Sequence, residues 1–148
     1  MEQIKFYKTK EPFGEFSNFA GYAIEIDGKI WPTTEHYFQA QKFSDQAYQE
    51  QIRLTPSPMI AARLGRSRKF PIRSDWEAAK DDIMRHAVTE KIKQHDKIKA
   101  LLISTGNAEI IEHTKNDRYW GDGGDGTGKN MLGTILMEIR AKIEKGLL

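Results

Sequence analysis

The chain has 148 residues, of which 39% are hydrophobic and 30% are charged, and this globular composition predicts one folded domain over residues 1–148. The formal net charge of +2 suits a small anionic ligand and does not require a large nucleic-acid surface. The chain has no cysteine, which excludes disulfides, thiolate catalysis and cysteine-ligated zinc.

No apolar run is long enough to span a bilayer, and residues 1–8 lack the apolar stretch of a signal peptide. We therefore expect a cytoplasmic protein without a membrane partner. Nothing in the sequence indicates an obligate protein partner.

Short strands are predicted in the first part of the chain. Ile4 and Phe6 alternate with polar residues, which is typical of a strand. Residues 23–26 and 29–31 flank Asp27-Gly28, a pair that favours the positive backbone angles of a two-residue turn. We therefore predict a tight β-hairpin at this position.

A loop rich in phenylalanine lies between these strands, over residues 13–19. Its rings can anchor the segment in the core, while Ser17 and Asn18 can bond either the backbone or a ligand. Asn18 is therefore a candidate ligand-binding residue.

A helix predicted to begin at Thr33, or at the threonine after it, carries three functional side chains on one face. Glu35, Gln39 and Lys42 are four and then three residues apart, so a carboxylate, an amide and an amine share one stripe. A stripe of this kind is also typical of a solvated face with a helix-spaced ion pair. Helical spacing alone favours the solvated face.

The rest of the chain is predicted to be helical, with one short strand and one long loop. The predicted elements are helices over about 45–54, 57–65, 74–94 with a capping box at Ser74, and 96–104 capped by Asp96, a strand over 108–113, a loop over 116–130, and a final helix capped by Asn130.

A basic segment over residues 63–69 contains four cationic side chains in seven positions. Arg66 and Arg68 could bind a phosphate, or the segment could be a solvated loop. Composition alone slightly favours the solvated loop.

The glycine-rich loop over 116–130 nearly matches a phosphate-binding loop. However, Asn130 occupies the position where a serine or threonine must hold magnesium, and no apolar strand precedes the loop, which argues against a nucleotide triphosphatase. The loop still leads into a helix N-terminus, where backbone N–H groups can bind an anion. The acidic spacing of a calcium loop and the elbow motif of a serine hydrolase are both absent.

A different chemistry is suggested by carboxylates, a lysine and aromatic rings, namely cleavage of an N-glycosidic bond. Ribosyl transfer builds positive charge on the sugar, which a carboxylate such as Glu35 or Asp117 can stabilise. The departing base can stack on an indole ring, for which Trp76 and Trp120 are candidates.

Several separate stretches together resemble the YbiA-like family, also called NADAR. In chain order they are Ser17-Asn18-Phe19, Glu35-His36-Tyr37 with Gln39 and Lys42, Trp76, Thr105-Gly106, Asn116-Asp117 with Trp120-Gly121, and Gly128 to Gly133 with Leu136, Met137 and Arg140. The resemblance implies a compact, mostly helical α+β domain with a small β-sheet that includes the hairpin. It also implies N-glycosidase activity without a cofactor or a metal.

The resemblance implies that Glu35, Lys42, Trp76 and Asp117 are catalytic or line the pocket. Together with the motifs above, it leads us to expect that Glu35, Lys42 and Asp117 are catalytic. The residues expected to bind substrate are Asn18, His36, Gln39, Arg66, Arg68, Trp76, Trp120, Gly121, Lys129 and Asn130.

Two substrate types are implied by the resemblance. One comprises ribosylamine 5-phosphate intermediates of riboflavin synthesis, which release ribose 5-phosphate, and the other is ADP-ribosylated guanine in nucleic acid. The 148 residues contain no toxin or nucleic-acid-binding segment, which favours the first type. A non-catalytic module that binds ADP-ribose or a nucleotide is a third interpretation.

Two mechanisms remain open for the catalytic residues. In the first, Lys42 attacks the anomeric carbon and forms a Schiff base, while Glu35 or Asp117 moves protons. In the second, one carboxylate activates a water molecule and Lys42 binds phosphate.

Overall fold

The computed structural model describes residues 2–148. The predicted domain begins at Met1, which lies outside the described residues. Residues 2–148 form a mostly helical α+β fold, which confirms the predicted fold class. The strands are β1 (Gln3–Phe6), β2 (Ile24–Ile26), β3 (Lys29–Trp31) and β4 (Glu109–Glu112). The helices are α1 (Thr34–Gln41), α2 (Gln46–Arg53), α3 (Pro58–Arg66), α4 (Trp76–Gln94), α5 (Asp96–Ser104) and α6 (Met131–Glu144).

The chain divides into two compact units. The terminal unit contains the residues up to Ala20 and those from Ile92 to Leu148, and the middle unit spans Gly21–Lys91. The predicted organisation as a single domain over residues 1–148 stays a prediction. Within residues 2–148, no helix is long and apolar enough to cross a membrane.

In the terminal unit, β1 and β4 form a parallel pair whose register runs from Gln3 opposite Glu109 to Phe6 opposite Glu112. Helix α6 packs against β4. A Cβ atom added at Gly133 would lie 2.1 Å from the carbonyl oxygen of Ile110, so only glycine allows this close approach.

Two helix caps in the terminal unit differ from the sequence prediction. Asn130 is the N-cap residue of α6, but its side chain makes no capping hydrogen bond. Its Oδ1 atom accepts a hydrogen bond from the Glu112 N–H at 2.9 Å, and its Nδ2 atom donates to the Ile110 carbonyl at 2.9 Å. Asn130 therefore fastens the start of α6 to β4. Asp96 is the first residue of α5 and His95 is the N-cap, again without a side-chain cap.

In the phenylalanine-rich loop, a short 3₁₀ turn spans Gly14–Phe16. Phe16 is buried and stacks on Phe13, with ring centroids 6.0 Å apart. Phe19 is exposed. The expected anchoring to the core is therefore shown by Phe16.

In the middle unit, β2 and β3 form the predicted hairpin, in antiparallel register from Ile24 opposite Trp31. Asp27 and Gly28 have φ angles of 54° and 77°, as the turn requires. The predicted starts of α1, α2 and α3 are confirmed, since the side chains of Thr33, Asp45 and Ser57 each accept a hydrogen bond from a backbone N–H of the first turn.

The capping box predicted at Ser74 is wrong. Helix α4 begins at Trp76, one residue later than that box requires, and Glu77 pairs with Lys80 at 2.8 Å. Asp75 pairs instead with Arg73.

The core of the middle unit holds α1 against α2 and α3. The Phe43 and Tyr48 rings meet edge to face with centroids 4.9 Å apart, and the Tyr48 hydroxyl donates to the Leu64 carbonyl at 2.6 Å. This packing places the C-terminal end of α3 beside the stripe on α1.

Candidate active site

The stripe on α1 faces the interior of the middle unit. Glu35 and Gln39 are 8% and 9% exposed, so the interpretation of this stripe as a solvated face is wrong. The Gln39 Nε2 atom donates to Glu35 Oε2 at 2.8 Å. Because Thr33 caps α1, Glu35 lies in the first turn, where the helix dipole favours a negative charge.

Lys42 follows the last residue of α1, and its amine points inward. Its Nζ atom donates to the Gly65 carbonyl at 3.2 Å and lies 6.0 Å from the centroid of the Trp76 ring. Burial lowers the pKa of Lys42, and the charge of Arg68 lowers it further, while Glu35 opposes the shift. A lowered pKa increases the neutral, nucleophilic fraction of the amine at neutral pH.

The two arginines predicted to bind phosphate lie beside this lysine. Both side chains belong to exposed residues, and each helps to lower the pKa of Lys42. Arg68 donates to the carbonyls of Gly65 and Ser67 at 3.2 and 3.0 Å. The Arg66 side chain makes no hydrogen bond or ion pair to another residue in the range 2–148, so its guanidinium is available to an anion.

Trp76 is largely buried, with 7% of its surface exposed. Its ring packs against Phe38, with centroids 5.0 Å apart, as well as under the Lys42 amine. A base that stacked on this indole would have to replace part of these contacts.

His36 is fully buried in the first turn of α1. Its Nε2 atom donates to the Thr55 carbonyl at 3.0 Å, so Nδ1 of the neutral ring accepts from the Thr33 hydroxyl at 2.8 Å. Burial lowers the pKa of His36, and the Thr55 hydrogen bond partly opposes this. Neither ring nitrogen is free for a ligand here, and a substrate-binding role for His36 stays a prediction.

The predicted site residues near the glycine loop belong to the terminal unit. The Asp117 Oδ1 atom accepts hydrogen bonds from the backbone N–H groups of Tyr119 and Trp120 at 2.9 and 2.8 Å. Oδ2 has no hydrogen-bond partner within residues 2–148, which leaves it free to act on a ligand. Asn18, in the same unit, is buried.

The glycine loop itself is closely packed. A Cβ atom added at Gly121 would lie 2.8 Å from Thr114 and 2.9 Å from the Glu112 carbonyl. Lys129 places its amine 5.2 Å from the Tyr119 ring centroid, and the Trp120 ring meets Tyr119 edge to face. These contacts give the loop a defined shape.

A cavity of about 410 Å³ lies beside this loop in the terminal unit. Its lining residues include two lysines, Lys5 and Lys129, and two acidic residues, Glu109 and Asp125. Because both signs of charge are present, the lining does not by itself favour the anion that the loop sequence suggested.

The same cavity is lined by a histidine–carboxylate pair that sequence reasoning missed. His113 Nδ1 lies 2.7 Å from Asp122 Oδ2, and Asp122 Oδ1 accepts from the N–H groups of Thr114 and Gly124. Although burial raises it, the pKa of Asp122 is held below its ordinary value by these hydrogen bonds. The two residues are nine positions apart in irregular chain, where no periodic signal could have indicated the contact.

The structure thus brings Glu35, Gln39, Lys42 and Trp76 together in the middle unit, beside Arg68. It gathers Asp117, Trp120, Gly121, Lys129 and Asn130 in one loop of the terminal unit. The sequence analysis did not identify Gly65 as a site residue, although an isolated glycine within a helical pattern can indicate close packing. Within residues 2–148, no cluster of three or more histidine or carboxylate side chains is arranged to hold a metal ion.

Comparison with known proteins gives one consistent family. A model of the NADAR domain matches residues 5–144. N-glycosidase YbiA of Escherichia coli strain K12 is 55% identical over 140 residues, covering 95% of this chain and 88% of that protein. The riboflavin biosynthesis protein PYRR of Zea mays, a chloroplast protein, is 41% identical and matches 95% of this chain, which corresponds to 25% of that longer protein.

A solved structure supports the same grouping. The NMR structure of the E. coli protein YbiA matches with a TM-score of 0.91 at 53% identity, covering 98% of this chain and 86% of that one. Identity at this level over nearly the whole chain extends beyond a shared fold to a shared reaction class. The chain is therefore an N-glycosidase that belongs to the NADAR domain family.

Proposed function

We propose that this N-glycosidase hydrolyses the C–N glycosidic bond of ribosylamine 5-phosphate intermediates of riboflavin biosynthesis and releases ribose 5-phosphate. The observation that carries the proposal is the pair formed by buried Glu35 and inward-pointing Lys42, with Arg66 and Arg68 beside the lysine. A carboxylate and an amine suit the chemistry at the anomeric carbon, and arginines suit a phosphate.

The names of two similar proteins support this substrate class. The proteins from Zea mays and from Vibrio vulnificus, both 41% identical to this chain, are named riboflavin biosynthesis proteins. The chain matches 25% and 40% of their lengths, so the matched segment is only one part of each of them.

In the mechanism we favour, neutral Lys42 attacks the anomeric carbon. The C1–Nζ bond forms as the bond from C1 to the pyrimidine amine breaks, and the Glu35 carboxylate carries a proton from Nζ to the leaving nitrogen. The sugar ring then opens as its O4 atom takes a proton from water, which gives a protonated Schiff base. Water adds to C1, the C1–Nζ bond breaks and the extra proton returns to water, which releases ribose 5-phosphate and restores the neutral lysine.

The carbonyl of Gly65 suits this role because it can hold either form of the amine. The carbonyl oxygen accepts a hydrogen bond from Lys42 Nζ, whether the lysine is an ammonium or a neutral amine. A neutral amine that donates this hydrogen bond keeps its lone pair for attack on C1. A catalytic role for Asp117 rests on the family resemblance alone, with Oδ2, which has no hydrogen-bond partner within residues 2–148, as the reacting atom.

Chemical trapping distinguishes this mechanism from direct attack by water. Borohydride added during turnover should reduce the Schiff base, and peptide mapping should then find a pentose phosphate adduct on Lys42. Ribose 5-phosphate added alone is the control for adducts formed from the product. If Lys42 stays unmodified during turnover, the covalent step is wrong, and water activated by a carboxylate becomes the mechanism.

The substrate is tested by mass spectrometry after incubation with four compounds, namely ribosylaminopyrimidine phosphate, DNA with ADP-ribosylated guanine, NAD and ADP-ribose. We expect release of ribose 5-phosphate from the first compound. Release of ADP-ribose from the modified DNA alone would instead identify a nucleic-acid glycohydrolase. A raised melting temperature with every ligand recovered intact would identify a binding module.

A further inference from the structure

Gln39 is the residue of the α1 stripe whose contacts are least expected of a substrate-binding side chain. It is 9% exposed, and its Nε2 atom donates to Glu35 at 2.8 Å. Its Oε1 atom is buried and has no hydrogen-bond partner among residues 2–148. Only the amide nitrogen can donate to a carboxylate, so this orientation leaves the oxygen without a partner.

A buried polar atom without a partner destabilises a fold, so its retention calls for an explanation. We explain it by the close packing of the Gln39 amide oxygen against Gly65 of α3. A Cβ atom added at Gly65 would lie 1.9 Å from Gln39 Oε1 and 2.6 Å from its Cδ. Gly65 lies within α3 and does not have a positive φ angle, so the space beside it is what requires glycine.

Gly65 also contacts the other reactive side chain. Its carbonyl oxygen accepts a hydrogen bond from Lys42 at 3.2 Å. A single residue of α3 therefore limits the position of the amide that holds Glu35 and, through its backbone, the position of the amine.

We propose that Gln39 and Gly65 form a positioning element that sets the relative placement of Glu35 and Lys42. Gly65 leaves room for the Gln39 amide, and the amide holds the carboxylate. The Gly65 carbonyl holds the amine. The inference rests on the proposed function, because it takes Glu35 and Lys42 as the reacting groups, and it makes Gln39 a positioning residue without substrate contact.

The Gln39→Met variant tests the first part of this element. Methionine has a similar size and shape but cannot donate to Glu35, and it removes the buried oxygen that lacks a partner. We expect a melting temperature equal to or above that of the wild type, together with a fall in kcat of about 10- to 100-fold and little change in KM. A wild-type kcat in this variant would overturn the proposal.

The Gly65→Ala variant tests the second part. The added methyl group would lie 1.9 Å from Gln39 Oε1 and 3.1 Å from Gln39 Cβ, so the amide must move away and the two helices must give slightly. We expect kcat to fall by about the same factor as in Gln39→Met, because outer contacts of reacting groups contribute about 10- to 100-fold. The double variant should be no slower than Gln39→Met alone, since both changes remove one contact. If the fall in kcat of the double variant equals the product of the two single falls, Gln39 and Gly65 do not act as one element.

Gly21→Ala is the matched control, because a Cβ atom there meets nothing within 4 Å, and it should keep the wild-type kcat. Wild-type turnover is measured first with ribosylaminopyrimidine phosphate, and its absence would contradict the proposed substrate only. The positioning element has a separate readout, since the side-chain amide NMR signals of Gln39 should shift in Gly65→Ala and stay unchanged in Gly21→Ala. Unchanged Gln39 signals in Gly65→Ala would overturn the proposal whatever the substrate is.

Discussion

The Nζ atom of Lys42 lies 3.2 Å from the carbonyl oxygen of Gly65, and this contact turns the amine inward rather than toward open solvent. A backbone carbonyl carries no formal charge, so it holds the amine without favouring the protonated form as strongly as a carboxylate would. The contact thus agrees with the lowered pKa of Lys42, whose first cause is burial.

The pH dependence of kcat should reveal the role of Lys42. A nucleophilic amine must be neutral, so kcat should rise with pH through the lowered pKa of Lys42 and then level off. A lysine that only binds phosphate must be charged, so kcat would instead fall over the same range. A rate that decreases as Lys42 loses its proton would therefore contradict the nucleophilic role.

Charges near Lys42 should move this profile in opposite directions. Arg68 lowers the pKa of Lys42, so Arg68→Ala should shift the rise in kcat to higher pH. Glu77 raises the same pKa, so Glu77→Gln should shift the rise to lower pH, by a smaller amount because its effect is smaller. Equal shifts in one direction would show that another group controls the profile.

Arg66 and Arg68 should affect the phosphorylated substrate most. Replacing both by alanine should raise its KM by about 10- to 100-fold, since a hydrogen bond to a charged group contributes about 1.5–3 kcal/mol. The dephosphorylated substrate should show little change. Arg63→Ala is a suitable control, because Arg63 is an exposed residue of α3, the helix that ends at Arg66. If KM is unchanged, the two arginines do not bind the phosphate.

Asp117 has a structural and a proposed catalytic task, and two variants separate them. Asn keeps an Oδ1 acceptor for the N–H groups of Tyr119 and Trp120, whereas Ala removes it. Asp117→Asn should keep the melting temperature and lower kcat by about 100- to 10,000-fold. Asp117→Ala should also destabilise the protein, by about 1–2 kcal/mol. A fully active Asp117→Asn variant would limit Asp117 to shaping the loop.

Asp122 should contribute to stability in a way that depends on pH. Its pKa is held below the ordinary value of 3.8, so its contribution is fully present above that pH and is lost as the pH falls through the lowered value. Asp122→Asn should therefore reduce the free energy of unfolding at pH 7 by about 1–2 kcal/mol, and the difference from wild type should shrink in acid. Urea denaturation measures both, with the exposed Glu144→Gln as control.

Local chemistry made much of the fold predictable. The Asp27-Gly28 turn, the cap at Thr33 and the starts of α2 and α3 at Asp45 and Ser57 depend on residues within three positions of one another, and all four were confirmed. The hydrogen bonds of the Asn130 side chain and the first residue of α5 were harder to predict from the sequence. The Asn130 partners lie on β4, 18 and 20 residues away, so sequence proximity did not indicate them.

The sequence predicted a set of candidate site residues but not their arrangement. Helical spacing placed Glu35, Gln39 and Lys42 on one face, and the polar character of these residues favoured a solvated face. In the structure every residue from Thr34 to Ala40 is buried, so α1 has no single apolar stripe that could have marked the interior. The contact between Gln39 and Gly65 joins two helices, and it depends on the absence of a side chain. Only the packed structure could show it.

The most direct test of the central claim measures ribose 5-phosphate release from ribosylaminopyrimidine phosphate by three forms of the protein. Wild type should release it, while Glu35→Gln and Lys42→Met, each with its folded state checked by circular dichroism, should lose at least about 100-fold in kcat/KM. Undiminished release by both folded variants would contradict the assignment of the reaction to this pair.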